Sequence, residues 1–163
     1  MNASFRAARM SRSLLARLAV VMTVATGLTG FSSLTAPSAD AAVSASTGSR
    51  VVAVAATRKG APYVYGAVGP TRFDCSGLTK WSYARVGKTL KRTAQQQYVA
   101  SMHISAHSRR VGDLVFFKTS RFGGVYHVGI YAGAGRIWHA PKPGDHVKLA
   151  TLWTSNVYYG RVR

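Results

Sequence analysis

Hydrophobic and polar residues follow two different rhythms along this chain. Between residues 49 and 100 the apolar positions fall at helical spacing. Ser49 is placed to cap a helix through Val51, Val52, Val54 and Ala55, which Gly60 and Pro62 stop. Glycines and Pro70 make residues 66–72 a loop. A second helix starts at Cys75, counts Leu78, Trp81 and Tyr83 among its larger apolar residues, and ends at Gly87. Thr93 is a candidate cap for a third helix through Ala94, Gln97 and Tyr98. Beyond residue 112 the rhythm shortens. Gly112-Asp113 introduces Leu-Val-Phe-Phe, Gly123-Gly124 precedes Tyr-His-Val-Gly-Ile-Tyr, Gly133 and Gly135 precede Arg-Ile-Trp-His, and weaker strands follow near residues 146–152 and 157–162. Short apolar runs bounded by glycine predict antiparallel strands joined by hairpins. Helices first and strands afterwards predict an α+β domain, its helices packed on one face of an antiparallel sheet.

The first forty residues obey neither rhythm. Arg6, Arg9, Arg12 and Arg17 precede an apolar run from Leu18 to Leu28, and Ala39-Asp40-Ala41 closes the segment. Residues 1–41 therefore read as a secretory signal peptide with a small-residue cleavage site. The run is shorter than the ~20 residues a spanning helix needs. Its arginines are never adjacent, so the twin-arginine route is not indicated. Residues 42–48, rich in Ala, Ser, Thr and Gly, read as a linker. Residues 49–163 remain as one globular unit, of a size and a 47% hydrophobic share that fit a single core.

Charge changes the picture of what surrounds the protein. The chain carries +18, and without residues 1–41 eighteen basic side chains still face only Asp74, Asp113 and Asp145, a formal +15. Such a field favours polyanions, which outside a cell means anionic wall polymers, anionic lipid or nucleic acid. The aromatics sit in patterned, core-like stretches and not in a basic recognition stripe, which argues against nucleic acid.

One cysteine cannot form an internal disulfide, so Cys75 is either a buried hydrophobe or a reactive thiol. Its position decides for reactivity. The first turn of a helix offers unpaired N–H groups and the positive end of the dipole, which favour the thiolate. A base is also needed, and His127, on the Tyr-His-Val-Gly-Ile-Tyr strand, has a side chain that titrates near neutrality. His139 is a third member that would fix the tautomer and direction of the His127 ring. Gly133 lies midway between the two histidines, so a three-residue turn on Ala132-Gly133-Ala134 sets them opposite each other. A two-residue turn on Gly133-Ala134 sends them to opposite faces. The orienting role thus predicts an odd-length loop or a bulge.

Six blocks now stand in order: Pro62-Tyr63-Val64-Tyr65-Gly66, Phe73-Asp74-Cys75-Ser76-Gly77-Leu78, Arg92-Thr93-Ala94 with its following glutamines, Gly112-Asp113-Leu114-Val115-Phe116-Phe117, His127-Val128-Gly129-Ile130-Tyr131 and His139-Ala140. Over about residues 50–163 the chain resembles the NlpC/P60 cysteine peptidases of bacterial cell walls. The resemblance implies a papain-like fold in permuted order, with Cys75 as nucleophile, His127 as base and His139 as the orienting residue. It implies hydrolysis of the bond between γ-D-glutamate and the following diamino acid in peptidoglycan stems, by a secreted, wall-associated monomer. It also places Tyr63, Asp74 and Ser76 around the substrate and the Cys75 N–H in the oxyanion hole. Ala67 and Tyr65 depart from the family, where a second glycine and a tryptophan are common. The cysteine route calls for neither metal nor cofactor.

Each residue has a plainer reading on its own. His127 alone is a satisfied strand histidine, His139 a core edge beside Trp138, Asp74 a helix cap, and Tyr63 a core aromatic. Their joint appearance lifts them above these readings. His103 and His107 have the i, i+4 spacing of a zinc pair, but no carboxylate or further cysteine completes a site, so both are read as surface residues. Two other functions compete: an amidase that splits muramic acid from L-alanine, and an inactive basic wall-binding protein.

Overall fold

The computed structural model describes residues 39–119 and 124–163. The signal-peptide reading lies, up to Ser38, outside the described residues. Among those described, no helix is long and apolar enough to cross a membrane.

Three helices precede most of the sheet, as the sequence predicts. The first, α1 (Ala39–Ala56), begins ten residues before Ser49, so Ser49 is no cap and residues 42–48 are helical instead of forming an irregular linker. Alanine has the highest helix propensity, and the Ala-rich stretch simply continues the helix backwards. α2 (Cys75–Ala84) is capped by Asp74, whose side chain accepts the Gly77 N–H. It stops in a Schellman arrangement around Gly87: Lys88 N–H donates to the Tyr83 carbonyl at 3.0 Å and Gly87 N–H to that of Ala84 at 3.1 Å. α3 (Ala94–Ala100) opens with a full capping box between Thr93 and Gln96.

The strands β1 (Met102–Ile104), β2 (Leu114–Lys118), β3 (Val125–Gly133), β4 (Arg136–His139), β5 (Lys148–Thr151) and β6 (Val157–Arg161) form one antiparallel sheet in the order β1-β6-β2-β3-β4-β5. β2 is central. Leu114 and Phe116 pack with Val51, Ala55 and Leu78 of the helices, while Val115 and Phe117 join Tyr131, Ile137 and Tyr159 on the other face. Burial on both faces is why this strand reads as an uninterrupted apolar run.

β1 was not foreseen. Met-His-Ile is too short to show a period, and it is ordered by pairing with β6. His103 lies on it, stacked on Tyr98 at 4.2 Å, whereas His107 belongs to a one-turn 3-10 helix, Ala106–Ser108. The helical spacing that suggested a chelating pair therefore does not exist in the fold.

The β3–β4 hairpin uses neither turn foreseen. Its two central residues are Ala134 and Gly135, both with positive φ as in a type I′ turn, and a bulge lies between Tyr131 and Gly133. Ile130 pairs with Trp138 and Tyr131 with Ile137. Continuing that register sets His139 opposite Gly129, one diagonal step from His127 and on the same face. A bulge was one of the two devices the orienting role required.

Candidate active site

The segment before α2 is laced into place by its backbone. Tyr63 N–H donates to the Asp145 carbonyl at 2.8 Å, Val64 N–H to Phe73 at 3.0 Å, and Asp74 N–H to Ala67 at 2.9 Å. The last bond brings the Ala67 carbonyl so close to α2 that a Cβ on Gly77 would stand 2.0 Å from its oxygen. That approach explains the glycine two residues after Cys75. Tyr63, Asp74, Cys75 and Ser76, all named from sequence, line a single cleft of about 400 Å³ together with Arg92 and Tyr126.

Asp74 organises this cleft. Its carboxylate accepts Gly66 N–H at 2.9 Å, Gly77 N–H at 2.6 Å and the Ser76 hydroxyl at 3.2 Å. It also takes a two-pronged contact from the Arg92 guanidinium, which donates to Ser76 Oγ at 3.0 Å as well. The cap reading of Asp74 is thus correct, and the same carboxylate holds Arg92 over the first turn of the helix. Below it, the buried Gln97 amide donates to the Ser76 carbonyl at 3.0 Å and to that of Lys91 at 2.9 Å, and accepts the Thr79 hydroxyl at 2.7 Å. Arg92 and Gln97 stood out in the sequence only as letters of a block that resembles the family; nothing in their spacing announced these bonds.

Cys75 is the only cysteine and is partly buried at the edge of the helical core. Its thiol meets β3 at the backbone N–H of Val128, the residue after His127. Burial raises the thiol above its ordinary range and the Asp74 charge adds to this, while the N–H groups of Val128 and Ser76 pull the other way without outweighing burial. Burial of the thiol thus works against the helix terminus, whose N–H groups and dipole favour the thiolate. Tyr63 feels the same surroundings: burial raises its phenol, and then the charges of Cys75 and Asp74.

His127 and His139 are both buried, with His127 Nε2 3.0 Å from His139 Nδ1. Phe117 lies 5.2 Å from the His127 ring. Trp153, which the sequence did not single out, stacks on Phe117 at 4.4 Å and sits 5.3 Å from His139, closing the pair from the outer face of the sheet. Burial lowers His127 to about 3, helped by the His139 charge. Burial also lowers His139 to about 4, with Lys148 adding to the effect and Asp145 opposing it.

Both folded values lie below the unfolded ~6.5, so the unfolded chain takes up protons first as pH falls. The stability supplied by the neutral pair is whole above about 6.5 and is lost as pH falls from there through the folded values. The urea midpoint is accordingly expected to be lower near pH 4.5 than at pH 7. His139→Asn should shrink that difference; an unchanged pH dependence would show that other groups govern it.

A lone thiol on the first turn of a helix lies beside β3, and β3 and β4 each supply one of a buried pair of histidines 3.0 Å apart, the kinds of group that cysteine-type hydrolysis uses. The model of the NlpC/P60 family matches residues 60–161, and the chain belongs to that family. It is 46% identical over 97 residues to a "Probable endopeptidase" of Corynebacterium glutamicum, covering 60% of this chain and 44% of that protein. It is also 46% identical over 110 residues to the bifunctional muramidase/DL-endopeptidase CwlT of Bacillus subtilis, covering 64% and 33%. The chain thus spans less than half the length of these relatives. Among solved structures, the NlpC/p60 domain of the peptidoglycan hydrolase SagA is 37% identical with a TM-score of 0.65, covering 71% of this chain and 98% of that one. The α+β fold with helices on an antiparallel sheet is the NlpC type expected from the sequence.

Proposed function

We propose that this protein is a secreted D,L-endopeptidase that cleaves peptidoglycan stem peptides between γ-D-glutamate and the following diamino acid. The observation that carries the reading is the 3.0 Å bond between His127 Nε2 on β3 and His139 Nδ1 on β4, with the neighbour of His127, Val128, turning its N–H toward the Cys75 thiol. If His127 donates from Nε2, its Nδ1 keeps a lone pair for the thiol proton, and His139 carries its own proton on Nε2. The sulfur attacks the carbonyl as that proton passes to His127, and the tetrahedral oxyanion collects the Cys75 N–H. Collapse expels the amine, which leaves with the proton from His127, and a thioester remains. Water, activated by His127, then frees the γ-carboxylate and restores the thiol. Tyr63 and Ser76 face the substrate from the cleft wall. Asp74, whose oxygens already hold five donors, acts mainly by fixing Ser76, Arg92 and the helix start. The Bacillus relative, a bifunctional muramidase/DL-endopeptidase, supports the choice of bond.

Digestion of muropeptides followed by mass spectrometry tests this reading. Fragments split after γ-D-glutamate are expected. Whole stems beginning with L-alanine would replace it with the amidase, and no products at all with the inactive wall-binding protein.

Because burial holds the thiol protonated and the imidazole neutral, the proton moves only when substrate is attacked. Alkylation of Cys75 by iodoacetamide in the free protein is expected to be slow at pH 7 and to rise only at a pH more alkaline than an ordinary free thiol needs. A titration step near pH 4–6 would mean a preformed ion pair and would refute this order of events.

A further inference from the structure

We infer that a second, basic pocket on this chain binds a phosphate group of an anionic wall polymer. A cavity of about 180 Å³ is lined by Lys88, Arg110, Arg161 and Arg163 around Tyr83 and Gly112, and it shares no residue with the cleft that holds Cys75.

Its frame is rigid. A Cβ on Gly48 of α1 would stand 2.0 Å from the Val111 carbonyl oxygen, so helix and loop touch through backbone. The buried Tyr83 hydroxyl donates to the Gly112 carbonyl. Arg161 forks onto Asp113, Nε to Oδ1 at 2.9 Å and Nη2 to Oδ2 at 2.8 Å, and Nη2 also donates to the Ser108 carbonyl at 2.8 Å.

Charge in the pocket is unbalanced. Asp113 is its one side-chain carboxylate and Arg161 already neutralises it. Elsewhere Asp74 is matched by Arg92, and Asp145 by Lys148. None of Asp74, Asp113 and Asp145 is therefore left to answer Lys88 or Arg110. Even an α-carboxylate at Arg163 leaves the lining net positive. A phosphodiester offers what these groups lack, a tetrahedral anion that takes an ammonium and a planar guanidinium together. Held in a recess, such contacts are screened less than open surface charges. The only aromatic residue in the lining, Tyr83, is itself buried, so nothing here stacks a base, and a phosphate-rich wall polymer fits better than nucleic acid. The identity of the polymer rests on the reading of the chain as a wall enzyme; the pocket does not.

The test titrates the full chain with inorganic phosphate and with a glycerol-phosphate oligomer, followed by amide NMR. The largest shifts are expected at Gly48, Gly112 and their neighbours, and shifts centred elsewhere would overturn the proposal. Lys88→Gln with Arg110→Gln should weaken oligomer binding and sedimentation with whole walls at least ten-fold. Lys59→Gln with Lys142→Gln removes the same charge outside the pocket and should change both by less than two-fold. Equal losses in the two pairs would mean a diffuse field and no site. A short DNA that displaces the oligomer from the same amides would overturn the choice of occupant. Turnover of a soluble stem peptide, measured in parallel, is expected to be the same in both pairs. Its absence from the unaltered chain would count against the proposed hydrolysis and leave the phosphate result standing.

Discussion

Cys75→Ala is expected to lower stem-peptide turnover by about 10⁴-fold or more, to the level of background, while the urea midpoint stays near that of the unaltered protein. The sulfur forms the covalent bond on which both halves of the proposed reaction depend, and no other cysteine can take its place. The packing lost is small, since the thiol contributes one heavy atom at the border of the helical core. His127→Ala should fall as far, because the buried thiol then has no group to receive its proton. His139→Asn should be milder, about 10- to 100-fold, since it leaves the base in place and loosens only its orientation. Substantial turnover by Cys75→Ala would end the cysteine mechanism. An equal and complete loss at His139 would instead give that residue a part in proton transfer.

Asp74 should show the largest effect on stability among the cleft residues. Asp74→Ala removes the cap of α2, worth about 1 kcal/mol. It also strands the Gly66 and Gly77 N–H groups, at about 1–3 kcal/mol for each that water cannot reach. The ion pair itself adds little, because the Arg92 side chain is 37% exposed and solvent screens it. A loss of roughly 3 kcal/mol in urea unfolding is expected, with turnover falling at least 100-fold as Ser76 and the helix start shift. Asp74→Asn keeps the shape and remains a good cap, so it should recover most of the stability. If Asn proved as damaging as Ala, the charge and not the hydrogen-bond frame would be what the site needs.

These cleft residues illustrate what a sequence can and cannot disclose. Thr93 announces a helix cap because the signal is local, and Leu114 to Phe117 announce a buried strand because both faces are covered. For His127 and His139 the condition for a shared face was legible, an odd-length loop or a bulge, and the bulge between Tyr131 and Gly133 meets it. The register itself was not. Ala134 at φ +49 adopts a conformation alanine rarely chooses, so the hairpin turned one residue later than either option foreseen. A helix start can be read from letters, but the burial that opposes ionisation is a property of three dimensions. Arg92, Gln97 and Trp153 act through partners 16, 21 and 36 residues away in sequence, and no periodicity encodes such pairings.

The long first helix sets a rule for anyone moving this module between carriers. The family match starts at residue 60, yet Val51 and Ala55 are fully buried in the core, and Gly48 rests against the loop before β2. A transplant cut at the edge of the match would lose two core side chains and open an apolar trench across α2 and β3. A graft begun upstream of Gly48 keeps the trench closed, whatever polypeptide is joined ahead of it.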